Sequence, residues 1–206
     1  MIGDETARTP RTKRGERTRG ALLDAALVEF GERGFQSASI TSITQRAGTA
    51  LGSFYTYFES KDEIFRAVLK DLSRAVGRAA RDSLEQADGS LNREQAALTG
   101  FLAFAREHKE VYRIIDESEF VDPESYREHY ETTAKRITAR LEQGAEAGEL
   151  RPDAGELHAW AIMGMNVFLG LRYAVWSEDA DLEEVAAAAR DLLERGLLPK
   201  GPHSAL

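Results

Sequence analysis

Between Ser39 and Lys61 the chain reads SITSITQRAGTALGSFYTYFESK, and its side chains are of the kind that grip an anionic backbone and let it come close. Ser53, Tyr55 and Tyr57 carry hydroxyls able to donate to phosphate oxygens, while Gly52, Ser53 and Thr56 are small enough to admit a neighbouring surface. Lys61 adds a cation in the first turn of a helix, where the macrodipole disfavours one. A lysine beside exposed helix N–H groups makes sense if an anion docks at that end. Taken singly, each group has a plainer reading: tyrosines covering a core, and a lysine solvated at the surface.

Positioning such groups takes two short helices and a tight turn. Ser39 can cap the first, with Ile40, Ile43 and Ala47 inward, and Gly48 supplies the positive φ needed to leave it. The next helix starts around Leu51 and carries Leu51, Phe54 and Phe58 at i, i+3 and i+7 as one narrow inward stripe. Its outer side is Gly52, Ser53 and Thr56. Upstream, Thr18 offers an N-cap for a helix whose apolar side runs Leu22, Leu23, Ala26, Leu27 and Phe30 and ends near Gly34. Downstream, Ser60 and Glu63 form an S-x-x-E capping box before a long pattern through Ile64, Phe65, Val68, Leu69, Leu72 and Val76 to about Gln86. Two helices about a glycine turn present the second to the major groove of a DNA duplex, with phosphate contacts fixing its register.

Further helical patterns follow at roughly 91–107, 109–118, 124–147, 153–176 and 181–195, with breaks at 87–90, 121–124, Gly148 with Pro152, and 177–181. No strand alternation occurs, so the fold is expected to be all-α. The expected domains are a flexible basic arm (1–17), a three-helix helix-turn-helix domain (18–65), a helical domain reached through a long helix (66–200) and a tail (201–206).

The net charge of −8 argues against nucleic acid only until its distribution is read. Basic and acidic residues balance over 1–65, and the excess acid lies downstream. Arg8, Arg11, Lys13, Arg14, Arg17 and Arg19 face Glu16 alone, a local positive patch suited to phosphate contacts or minor-groove insertion. The absence of cysteine excludes disulfides, thiolate metal sites and thiol nucleophiles, and a cytoplasmic location is expected. The N-terminus has no apolar signal region, and Asn166 and Arg172 inside the run 159–176 argue for a buried helix rather than a membrane span. His108, His129, His158 and His203 are scattered, and neither a glycine-rich phosphate loop nor a nucleophile elbow occurs. No enzyme, cofactor or metal site is expected. A purely protein-binding adaptor would leave the small-faced helix and Lys61 unexplained.

The spacing Ile40, Ile43, Ala47-Gly48, Gly52, Phe54-Tyr55, Phe58, Lys61 resembles the N-terminal domain of TetR-type transcriptional regulators, and TRGALLDAALVEFGERGF over 18–35 resembles that family's first helix. The resemblance implies DNA contact, mostly with the backbone, by Ser39, Thr41, Ser53, Tyr55, Tyr57 and Lys61, with Leu51, Gly52 and Thr56 completing the surface. Ala50 replaces the serine that commonly caps the reading helix, leaving Thr49 as a displaced substitute. Leu51 stands where a basic residue is frequent, and Thr56 where a histidine is.

The resemblance also implies a ligand-responsive repressor of a palindromic operator, a homodimer formed through the two terminal helices, and a small-molecule effector in the C-terminal half. Candidate interface residues are Trp160, Gly164, Phe168 and Leu171 in the penultimate helix and Val185, Ala189 and Leu192 in the last. Candidate effector contacts are Phe101, Phe104, Tyr112, Tyr126 and Tyr130, then His158, Asn166, Phe168 and Arg172. Asn166 is the sharpest, because an amide in so apolar a helix needs a partner. The segment VYRIIDESEFVDPESYREHY over 111–130 loosely resembles regulators of acyl- or aryl-CoA catabolism.

Overall fold

The computed structural model describes residues 12–85, 87–177 and 179–199. Among them all regular structure is helical: α1 (Lys13–Ser37), α2 (Ile40–Arg46), α3 (Leu51–Tyr57), α4 (Lys61–Asp82), α5 (Ser90–Glu107), α6 (Glu110–Val121), α7 (Pro123–Glu146), α8 (Glu156–Leu169) and α9 (Leu182–Leu197). A π-helical segment, Gly170–Val175, continues α8. The described residues form two compact units, one within 12–72 and 110–126 and the other within 73–109 and 127–199. Of the basic arm, residues 1–11 lie outside the described residues, as does the expected tail.

In the first unit α1 begins five residues before the expected cap. Thr12 holds that place, its Oγ1 accepting from Gly15 N at 3.1 Å, and Thr18 lies inside the helix with its hydroxyl donating to Arg14 O. Helix-favouring Lys and Arg with one good cap are enough to extend it without an apolar stripe. Leu22, Ala26 and Phe30 are fully buried, and Phe30, Phe35 and Phe65 pack ring to ring at 5.0–5.9 Å. Gly34, at φ 76° and ψ 164°, bends the end of α1 in a conformation open essentially to glycine alone. α6 packs against α1 with Val111 and Ile114 buried, so this segment completes the first unit although it follows α5 in sequence.

The second unit closes around Leu91, Ile137, Leu141, Leu150, Ala159, Ile162 and Leu197. α5 packs on α9 and on the π segment, which buries Ala186 and Ala189 in the unit's own interior. Two non-local ties add to it. Arg140 forks onto the buried Glu94 carboxylate at 2.6 and 2.8 Å, and Glu149 takes Ser90 N at 2.6 Å, supplying the N-terminal cap that Gly89 cannot. His129 is buried against Ser73 Oγ at 2.7 Å; burial, helped by the nearby Arg136 charge, pushes its imidazole down to about 4.

Candidate nucleic-acid interface

α2 and α3 form around the expected signals, with one exception at the start of α3. Ser39 caps α2 in a reciprocal box with Ser42, Oγ accepting from Ser42 N at 3.0 Å while Ser42 Oγ accepts from Ser39 N at 3.1 Å. Gly48 takes φ 64°, turning the chain toward α3. There Ala50 occupies the cap position with no side-chain hydrogen bond. Thr49 is no substitute: its hydroxyl is buried and without a partner.

Phe54 and Phe58 anchor α3 inward as expected, but Leu51 does not join them and stands 49 % exposed. The first residue of a seven-residue helix lies a full turn beyond the Phe54 contact, where the small core no longer reaches. The outward surface therefore consists of Leu51, Gly52, Thr56 and Tyr55, the last 48 % exposed, with Ser53 and Tyr57 half-buried at its margins. Nothing lies within 4 Å of where a Gly52 Cβ would be, so this glycine leaves open approach to the helix backbone. Thr41 is exposed on α2, whereas the Ser39 hydroxyl is spent in its cap.

No charged side chain occurs on α3, and the one on α2 is turned to internal use. Arg46 donates to Glu29 Oε1 and Glu32 Oε2, each at 2.7 Å, tying α2 to α1. Burial raises the Glu29 carboxyl, yet hydrogen bonds from Arg46 and Ser42 and the Arg33 charge outweigh it and hold it below the usual value.

Lys61 has partners that local sequence does not suggest. Its Nζ donates to Phe35 O at 2.7 Å, Ala38 O at 3.0 Å and Gln36 O at 3.4 Å, and lies 4.3 Å from the Phe35 ring centre. The negative partner that its place in the macrodipole calls for is thus a cluster of carbonyls at the end of α1, not a docked anion. Ser60 caps α4 through Glu63 N at 3.1 Å, but Glu63 reaches back to Glu59 N rather than to Ser60 N, so the box is shifted by one residue.

The remaining candidates are dispersed. Tyr112 and Tyr126 belong to the first unit; Phe101, Phe104, Tyr130, His158, Asn166, Phe168 and Arg172 belong to the second. Phe168 is 72 % exposed and Arg172 is exposed over the Tyr173 ring, so both face outward rather than line an interior site. His158 Nδ1 faces Gly155 N at 3.4 Å at the start of α8, and Phe104 stacks on His108. Asn166 Oδ1 is buried without a hydrogen-bond partner, as is Nε of Arg106, a residue that no sequence pattern marks out. On α8, Trp160, Gly164 and Phe168 are exposed, as is Leu192 on α9, while Leu171 and Val185 are half-buried. Ala189, expected at an intermolecular surface, is instead buried because α9 turns its alanine side onto α5.

Comparison with known proteins agrees with this geometry. Residues 22–68, spanning most of α1 through the first part of α4, match the family described as bacterial regulatory proteins, tetR family. The chain is 31% identical over 196 residues to the HTH-type transcriptional regulator YdgC of Bacillus subtilis, covering 91% of this chain and 96% of that one. It is 30% identical over 140 residues to the HTH-type transcriptional repressor KstR2 of Mycobacterium tuberculosis, covering 66% and 70%. The fold matches the fatty acid degradation regulator FadR of Bacillus halodurans with a TM-score of 0.75 at 16% identity over 90% of this chain and 96% of that one. With the helix pair built as Ser39–Lys61 requires and the relationship running nearly end to end, the chain is a member of the tetR family of bacterial transcriptional regulators.

Proposed function

We propose that the protein is a homodimeric, cytoplasmic repressor that binds a palindromic operator through α2 and α3 and leaves it when a small hydrophobic molecule binds the second unit. The observation that carries the reading is the outward face of α3: a glycine with open space above it, hydroxyls at Ser53, Tyr55, Thr56 and Tyr57, and no charge of its own. Such a face suits close approach and backbone contact better than hydrogen bonding to base edges, which favours Arg, Lys, Asn and Gln. Tyr55, Tyr57, Ser53 and Thr41 contact phosphates in this reading. Lys61 contributes by holding the turn before α2, and sequence preference rests partly on DNA shape and half-site spacing. Repression, rather than activation, is supported by the likeness to KstR2, itself a repressor.

The dimer is supported by Trp160, Phe168 and Leu192, large apolar side chains left 41 %, 72 % and 66 % exposed on the last two helices, and by the open space over Gly164. The effector is supported by two buried polar atoms of the second unit, Asn166 Oδ1 and Arg106 Nε, which a ligand with an apolar body and a polar end would satisfy. An acyl- or aryl-CoA fits that description.

Titration against duplexes selected from bacterial genomic fragments, repeated at several salt concentrations, tests the central reading. A specific complex weakening as salt rises is expected; its absence at every salt concentration would overturn it. Thermal shifts with acyl-CoAs and aromatic acids test the effector class, and stabilisation by none of them would remove it.

A further inference from the structure

The turn that launches α2 is held from two sides by charged groups belonging to neither helix of the reading pair. From α6, Glu117 Oε2 accepts the Phe35 N–H at 2.6 Å across 82 residues of sequence. From α4, Lys61 takes the carbonyls of Phe35, Gln36 and Ala38. One helical turn before Glu117, Arg113 Nη1 donates to Gly31 O at 2.9 Å and Glu32 O at 2.8 Å, two carbonyls just before the bend in α1. The polarity is matched throughout, carboxylate to N–H and cations to carbonyls.

Two glycines make room for this grip. A Cβ on Gly34 would lie 2.5 Å from Glu117 Oε1, and one on Gly31 would lie 2.5 Å from Glu110 Cβ. Only Gln36, Ser37 and Ala38 separate Phe35 from Ser39, the cap of α2. A displaced Phe35 amide therefore changes the direction in which α2 leaves, and α3 follows it.

We propose that Glu117 is a positioning residue for DNA recognition: its carboxylate on α6, working against Lys61 on α4, fixes the turn over 35–38 and so aims the reading pair, acting through the Phe35 amide rather than by touching DNA. The proposal rests on the reading of α2 and α3 as the DNA-binding pair.

The test uses full-length protein and a duplex that the wild type selects from a random-sequence pool. Glu117→Gln keeps shape but loses the charge, and Glu117→Ala loses the acceptor. With folding checked by circular dichroism well below the melting temperature, we expect affinity to fall about three-fold and about tenfold or more, respectively. The slope of affinity against salt should stay unchanged, because no phosphate contact is removed. In wild-type protein, hydrogen exchange at the Phe35 amide should slow further on DNA binding. A folded Glu117→Ala protein binding as tightly as wild type would overturn the proposal, and so would a reduced salt slope, which would make Glu117 part of the contact electrostatics. Should Glu117→Ala not fold, Glu117→Gln and the exchange measurement decide: wild-type affinity in the first, or unaltered Phe35 exchange in the second, overturns the proposal. A wild type that selects no duplex at all would sink the DNA-binding reading itself, an outcome distinguishable from the others.

Discussion

In the first unit, charge is turned inward and the exposed reading face is neutral: Arg46 on Glu29 and Glu32, Lys61 on three carbonyls, Arg113 on two more, with glycine and hydroxyls outside. In the second, Leu157, Trp160, Phe168, Trp176 and Leu192 are exposed, while Asn166 Oδ1 and Arg106 Nε lie buried without partners. A surface that meets hydrated phosphate can be finished within one chain. An apolar face is finished only by something added, and under the proposed function the contrast separates a unit that reads from one that assembles and senses.

The sharpest challenge to this contrast is a pair of charges on the second unit. Ala189→Glu would bury a carboxylate without a partner and should cost about 3–5 kcal/mol, unfolding that unit in circular dichroism. Gly164→Glu, on the open face, should leave the fold intact and give monomers in sedimentation. A folded dimer from both variants would place the interface elsewhere.

Acid should separate the units next. The folded His129 imidazole titrates near 4 and the unfolded one near 6.5, so on acidification the unfolded chain takes the proton first. The stabilisation is complete above pH 6.5 and declines as pH falls, by about 2 kcal/mol at pH 5 and about 3 kcal/mol at pH 4. Both tryptophans, Trp160 and Trp176, lie in the second unit, so urea unfolding followed by their fluorescence reads this loss directly. His129→Gln should flatten the profile between pH 6.5 and 5; an unflattened one would assign it to another group.

Within the first unit, Lys61→Met should lower stability by about 2 kcal/mol by leaving three carbonyls without their cation, measured by denaturant unfolding of the whole chain. An unchanged midpoint would return Lys61 to the role of a surface charge. The smallest effect is a gain: Ala50→Ser should supply the missing cap of α3 and raise stability by about 1 kcal/mol, visible as a higher melting temperature. No gain would mean that the α3 terminus is already satisfied in another way.

What is legible in the sequence is what depends on near neighbours. Ser39, Gly48, Ser60 and the bend at Gly34 act within four residues, and the structure has each where its residue type demands. The buried Phe54 and Phe58 follow from periodicity alone. The start of α1 escapes because a helix held by a cap and propensity shows no apolar stripe, and Leu51 because periodicity does not know where a small core ends. Lys61 visibly breaks a local rule, but the carbonyls that explain it come from 23 to 26 residues away. Glu117 and Arg113 are invisible for the same reason, more than 80 residues from the turn they hold. The one local hint is the pair Gly31 and Gly34 near the end of a helix, where glycine is costly unless another chain segment needs the space.

The π segment after α8 has a consequence for phase. A π turn holds about one residue more than an α turn, so the eight steps from Phe168 to Trp176 advance around the axis about as far as seven would. Seven steps come close to two whole α turns, which brings the exposed indole back beneath the exposed phenyl ring. The bulge thus rephases the helix and lengthens its apolar seam by two turns. Ordinary α winding over the same eight steps would swing Trp176 roughly a quarter turn off that line, whereas deleting one residue between Gly170 and Val175 would restore ordinary winding and keep the two rings in phase.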